Sequence, residues 1–122
     1  MTDIKCLDSS AWLAYHFATS TEIKEIIDKE GLIITSSLCL FEIKKKLLMV
    51  KQDWREFLKF IKERSGIIVP EIEITENAAQ IAVDKKLGAM DALIYATAQI
   101  KNAELITGDN DFRGLEKVRI IS

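Results

Sequence analysis

The 122-residue chain is poor in everything that loosens or cross-links a polypeptide: one Pro, five Gly, two Cys and one His. So little Pro and Gly leaves no composition for a flexible tail or linker, and 48% hydrophobic with 30% charged residues is the balance of a globular protein. The length is that of one domain, enough to bury a single core. No apolar run exceeds five residues, as in Ala92–Ala96, against the ~20 needed to span a bilayer, which excludes a transmembrane helix. Asp3, Asp8 and His16 interrupt the apolar stretches of the first twenty residues, the wrong pattern for a secretory signal. Cys6 and Cys39 stand apart among apolar neighbours and form no CxxC. They read as reduced thiols of a cytoplasmic protein, with neither a disulfide nor a zinc framework. The lone His16 rules out a histidine-pair ribonuclease and a His-rich zinc site. Neither a GxGxxG nor a P-loop motif occurs.

What is present is an uneven charge distribution. The net charge of −2 argues at first against a nucleic-acid partner. Between Lys44 and Arg64, however, eight bases (Lys44, Lys45, Lys46, Lys51, Arg55, Lys59, Lys62, Arg64) face three acids, giving +5. The remaining nine bases and sixteen acids give −7. A basic helical segment therefore adjoins an acidic remainder.

The local pattern alternates strands and helices. Ile4–Leu7 reads as a strand that Asp8-Ser9-Ser10 breaks with N-cap residue types. Helices are predicted over Thr21–Glu30, from Ser36 or Ser37 to about Val50, over Asp53–Arg64, from Thr75 to Leu87 and from Ala89 to about Lys101. Gly31, Gly66 and Gly88 are read as their punctuation. Leu32–Thr35, Ile67–Val69 and Leu105–Thr107 read as buried strands, and Val118–Ile121 as an edge strand. Alternation of this kind implies right-handed crossovers and an α/β fold, a three-layer α/β/α sandwich on a central, mainly parallel sheet, in one domain over residues 1–122.

In such sheets ligands bind outside the carboxyl ends of the strands, where this sequence places acids. Asp8 follows the first strand, and Asp109 and Asp111 follow Leu105–Thr107. Glu42 and Asp91 sit near helix starts, on stripes shared with apolar residues. Each alone is also what a cap or turn residue would be. Four or five acids gathered at one sheet end, with few bases to neutralise them, would repel unless a cation sat among them. Hard oxygen donors of this kind suit Mg²⁺ or Mn²⁺. An EF-hand starting at Asp109 fails, because Arg113 and Ile120 fall where ligands are needed. A receiver domain fails because Ser9 follows Asp8 and no Lys follows Thr107.

Taken in order, Leu7-Asp8-Ser9-Ser10-Ala11, Phe41-Glu42-Ile43, Met90-Asp91-Ala92-Leu93-Ile94-Tyr95-Ala96-Thr97-Ala98 and Leu105-Ile106-Thr107-Gly108-Asp109-Asn110-Asp111-Phe112 resemble the successive motifs of the PIN domain. The short, single-domain form most resembles the VapC-type toxins of toxin–antitoxin pairs. The resemblance implies a metal-dependent endoribonuclease with Asp8, Glu42, Asp91 and Asp109 as catalytic acids and Asp8, Asp91, Asp109, Glu42 and Asp111 as metal ligands. The fourth acid is Asp109 or Asp111, with Asp109 the nearer to the strand end. Ser9 or Ser10 and Thr107 fall at supporting hydroxyl positions. An RNA substrate, whose backbone the bases Lys44–Lys46 and Lys51–Arg64 would hold, an antitoxin partner and a homodimer are further implications, with no membrane association. Trp12, Tyr15, Phe17 and Ile23 are either plain core packing or candidates for the antitoxin face. The alternatives are a non-catalytic RNA- or protein-binding module of the same fold and a housekeeping RNA-processing nuclease.

Overall fold

The computed structural model of the chain describes residues 3–122. Five strands, β1 (Ile4–Leu7), β2 (Leu32–Ser36), β3 (Gly66–Ile68), β4 (Glu104–Thr107) and β5 (Val118–Ile120), form one sheet in the order β3-β2-β1-β4-β5. Every pairing is parallel, so the sheet is wholly and not merely mainly parallel. The helices are α1 (Ser9–His16), α2 (Thr21–Asp28), α3 (Ser37–Met49), α4 (Arg55–Arg64), α5 (Ile72–Lys85) and α6 (Ala89–Ile100). From β1 the chain steps through β2 to β3 in one direction, then returns past β1 to β4 in the other. Right-handed crossovers therefore put α1–α4 on one face and α5–α6 on the opposite one. The contacts agree: α1 packs on α2 and α3, and α5 on α6.

The core follows from this layering. Cys6, Leu7, Leu105 and Ile106 of the two central strands are fully buried, with Trp12, Ile43, Leu47 and Ile61 over one face and Ile94 and Tyr95 over the other. Ala78, Ala92 and Ala96 let α5 and α6 approach closely in a second, smaller cluster. Trp12 and Ile23 are wholly buried, and Tyr15 is half-buried with its ring stacked on Phe60 at 5.6 Å between centroids. These residues are core, and of the four suggested for an antitoxin face only Phe17 is exposed. Among the described residues no helix is long and apolar enough to cross a membrane.

Two predicted boundaries are wrong for identifiable reasons. The fifth helix starts at Ile72 and not at Thr75, because the Thr75 hydroxyl donates to the Glu71 carbonyl one turn back and so sits inside the helix. The glycines do not supply left-handed helix ends either. Lys86, at φ +57°, takes the left-handed position after α5, while Gly88 is the N-cap of α6 and Gly66 opens β3.

Candidate active site

The strand order reverses between β1 and β4, and in an open α/β sheet the crevice at that reversal lies beyond the carboxyl ends of those two strands. Asp8 follows β1, and Asp109 follows β4 by two residues. The turn after β4 is built around the Asp109 carboxylate, which accepts from the Asp111 amide at 2.9 Å and caps a short 3-10 helix over Asn110–Phe112. Phe112, fully buried, anchors that turn from below. Asp91 lies in the first turn of α6, where backbone N–H groups favour a carboxylate.

Asp8 is the buried member, only 4% exposed. Its Oδ1 accepts from Ser10 Oγ at 2.7 Å and from the Ala11 amide at 2.9 Å, and its Oδ2 accepts from Thr107 Oγ1 at 2.5 Å. Each hydroxyl is oriented from behind, because Gly108 N–H donates to Ser10 Oγ at 2.8 Å and Asp109 N–H to Thr107 Oγ1 at 2.9 Å. Two relays thus run from the turn after β4 to one carboxylate at the end of β1. Burial pushes the Asp8 carboxyl above the usual range, and the bonds from Thr107, Ser10 and Ala11 pull against that shift. Glu42 is half-buried on α3, and its Oε1 accepts from Ser9 Oγ at 3.0 Å, leaving Oε2 without a donor among the described residues. The two serines after Asp8 therefore divide the work: Ser10 holds Asp8 and Ser9 holds Glu42. No local signal could assign Ser9 to Glu42, which is 33 positions away.

The remaining acids meet more openly. Asp91, Asp109 and Asp111 each bring a carboxylate oxygen within 4.8 Å of the others. That spacing is a little over twice a Mg–O distance of ~2.1 Å. Partial burial first, then the charges of Asp109, Asp111, Asp8 and Glu42, push the Asp91 carboxyl up to about 6. All five acids singled out in the sequence therefore act on one small volume, with Asp8 and Glu42 outside the tight triad. None of the five makes an ion pair among the described residues. Arg113, two residues from Asp111, instead donates to Asn110 Oδ1 at 2.6 Å. A dense, uncompensated set of hard oxygen donors is the chemistry a divalent cation fits.

The basic segment divides in the fold. Arg64 is spent on structure, donating to the carbonyls of Ile27, Lys29 and Gly31 between α2 and β2. Lys44 lies over the Trp54 ring at 3.7 Å, and Arg55 pairs with Asp53. Arg64 is therefore committed to the fold, whereas Lys44 and Arg55 have partners on the surface. Lys45 and Lys46, three and four residues after Glu42, are exposed and make no ion pair among the described residues. A cavity of about 350 Å³ lies toward the amino ends of β1 and β2. Acids and bases face one another in it, Arg119 pairing with Glu22 and Glu104 and Lys5 with Asp3, unlike the carboxylate cluster, where only acids meet.

Residues 5–118 match the model of the PIN domain. The chain belongs to the PIN-domain family. Among solved structures, a toxin–antitoxin complex from Klebsiella pneumoniae is 25% identical with a TM-score of 0.79, covering 94% of this chain and 95% of that one. VapBC2 from Rickettsia felis, bound to a DNA fragment from its promoter, is 19% identical at a TM-score of 0.80, with 98% and 99% covered. VapC20 of Mycobacterium tuberculosis, a toxin that cleaves the sarcin–ricin loop, is 18% identical at a TM-score of 0.73, with 97% and 99% covered. Comparison with the sequences of curated proteins finds no match. Within this PIN domain, Asp8 and Asp109 follow β1 and β4, on either side of the reversal of strand order, Asp91 stands in the first turn of α6 and Glu42 in the second turn of α3.

Proposed function

We propose that the protein is a divalent-metal-dependent endoribonuclease and the toxin half of a toxin–antitoxin pair. The observation that carries this reading is the convergence of five carboxylates, without a protein counter-ion, at the strand-order reversal of a PIN domain. Asp91, Asp109 and Asp111 would hold the cation, with Asp8 and Glu42 completing its surroundings. A Mg²⁺ or Mn²⁺ bound there supplies a lowered water pKa and positive charge against a phosphate.

The chain's own residues supply the rest. Asp8, fixed by Ser10, Thr107 and the Ala11 amide, is held in one orientation, so little reorganisation is required of it during reaction. Glu42, turned by Ser9, keeps Oε2 free to accept a proton from an attacking water. Lys45 and Lys46 continue from Glu42 along α3 and present cations to the phosphates beside the cut. A toxin–antitoxin complex at 25% identity supports a small antitoxin as partner. A homodimer would use the outer stripe of α5, where Ile72 and Val83 are exposed on one side of the helix. Reduced Cys6 and Cys39, both buried, suit a cytoplasmic setting. Burial and then the Asp8 charge push the Cys6 thiol up to about 12, so it contributes no nucleophile.

Incubating the purified protein with single-stranded RNA and with DNA of the same sequence tests the reading. RNA is expected to be cut internally in Mg²⁺ or Mn²⁺, with loss of activity in EDTA and restoration by added metal. Equal cleavage in EDTA, or cleavage of DNA alone, would refute it.

A further inference from the structure

One face of α3 is unexplained by folding. Cys39, Ile43 and Leu47 bury its inner side, whereas Phe41, Leu48 and Met49 point the opposite way and Phe41 is 60% exposed. A single exposed apolar residue is ordinary. This one directly precedes Glu42, which joins the carboxylate cluster through Ser9. Successive residues on a helix differ by about 100° and 1.5 Å, so the exposed ring stands next to Glu42 along the helix, turned about 100° away from it. Lys45, one turn further, shares the Phe41 side of the helix. Lys46 and Lys51 flank the stripe, and these three lysines make no ion pair among the described residues. Along the exposed side of α3 the only acid is Glu42 itself.

We propose that Phe41 is a base-stacking platform for single-stranded RNA, taking the nucleobase beside the scissile phosphate while Lys45 holds the next phosphate along the strand. This rests on the ribonuclease reading and adds a subsite to it. The charge decides between occupants: an aromatic face set among unpaired lysines matches a strand that carries an anion and a π-face at every step. Stacking tolerates all four bases, so the subsite selects for unpaired RNA and not for a sequence. The ring contributes little to the core, so its removal leaves folding intact.

The test has a cleavage arm and a binding arm. Steady-state cleavage of a mixed-sequence single-stranded RNA is compared for the wild type, Phe41→Ala, Phe41→Leu and Phe41→Trp. Binding of the same RNA is followed by fluorescence anisotropy in an Asp91→Asn background, where turnover is blocked. Phe41→Ala is expected to weaken RNA binding and kcat/KM by roughly 5- to 100-fold, mainly through KM, with an unchanged Tm. Phe41→Trp should keep wild-type values and Phe41→Leu should resemble Ala, because a flat ring and not apolar area is required. Leu performing as well as Trp, an unaltered Ala variant, or no RNA binding at all overturns the proposal. So does a Phe41→Ala variant that loses only a co-purifying protein partner. If the wild type cuts no RNA in either metal, the ribonuclease reading falls while the anisotropy series still decides the platform.

Discussion

Asp91→Asn is expected to lower metal-dependent RNA cleavage by at least about 10²-fold while leaving the metal-free protein more stable than the wild type at pH 7.5. Loss of activity with a gain in stability marks a group held for function at a structural cost. The Asp91 carboxyl titrates at about 6 in the fold against 3.8 ordinarily, owing first to partial burial and then to Asp109, Asp111, Asp8 and Glu42. Between those values the folded state binds more protons than the unfolded one, so stability falls as pH rises from about 4 to about 6 and stays low above. Asparagine removes this penalty and forgoes the favourable helix-end interaction of about 0.3–1 kcal/mol. The repulsion wins at neutral pH, but the group is partly exposed and solvent screens it, so the net gain is on the order of 1 kcal/mol or less, a Tm roughly 1–3 °C higher. In EDTA, the Tm difference between variant and wild type should vanish near pH 4 and grow through pH 6. A variant less stable than the wild type at pH 7.5 would show that Asp91 is a structural cap.

Thr107→Val is expected to do the reverse, destabilising the fold by about 2–3 kcal/mol, a Tm roughly 8–12 °C lower at pH 7.5. Valine keeps the volume and β-branching that suit β4, so no cavity arises. What disappears is the donor to Asp8 Oδ2 and the acceptor for the Asp109 amide. A carboxylate only 4% exposed is left with donors on one oxygen alone. A hydrogen bond to a buried charge is among the costlier ones to lose. Because the Thr107 bond lowers the Asp8 pKa, its loss raises that pKa further. The folded state then holds its proton to higher pH, so the deficit should be largest where Asp8 must ionise and should shrink on acidification. Cleavage should fall as well, since the same hydroxyl orients Asp8 and steadies the turn that carries Asp109 and Asp111. Thermal unfolding across pH checks this. Thr107→Ser, which keeps the donor, should recover most of the loss, and failure to do so would place the effect in packing.

The two variants also show which parts of the molecule a sequence exposes. Asp8, Asp91 and Asp109 stand out because the strand-to-helix changes around them are written locally: an apolar run, then a cap or turn residue. Their common destination follows from the crossover rule and the return of the chain past β1. The start of α5 is hidden because Thr75 and Glu76 have the composition of a helix start, and only the bond from Thr75 to the Glu71 carbonyl reveals an interior turn. Trp12 and Ile23 look like interface residues in a list of aromatic and apolar side chains, yet the packing of α1 and α2 buries both. Arg64 reads as a phosphate-binding base until three carbonyls from the α2–β2 turn take its guanidinium. The support of the carboxylates is least visible, since Ser9 with Glu42 and Thr107 with Asp8 join positions 33 and 99 residues apart.

The central claim is that the carboxylates after β1 and β4, in the second turn of α3 and at the start of α6 form a divalent metal centre. Calorimetric titration of Mn²⁺ into the metal-free wild type at pH 7.5 and at pH 5 tests it most directly. Binding at pH 7.5, weakened at pH 5 because Asp91 must release its proton, and abolished by Asp109→Asn, is the predicted result. No binding at millimolar Mn²⁺, or binding unaffected by both acidification and that substitution, would contradict it.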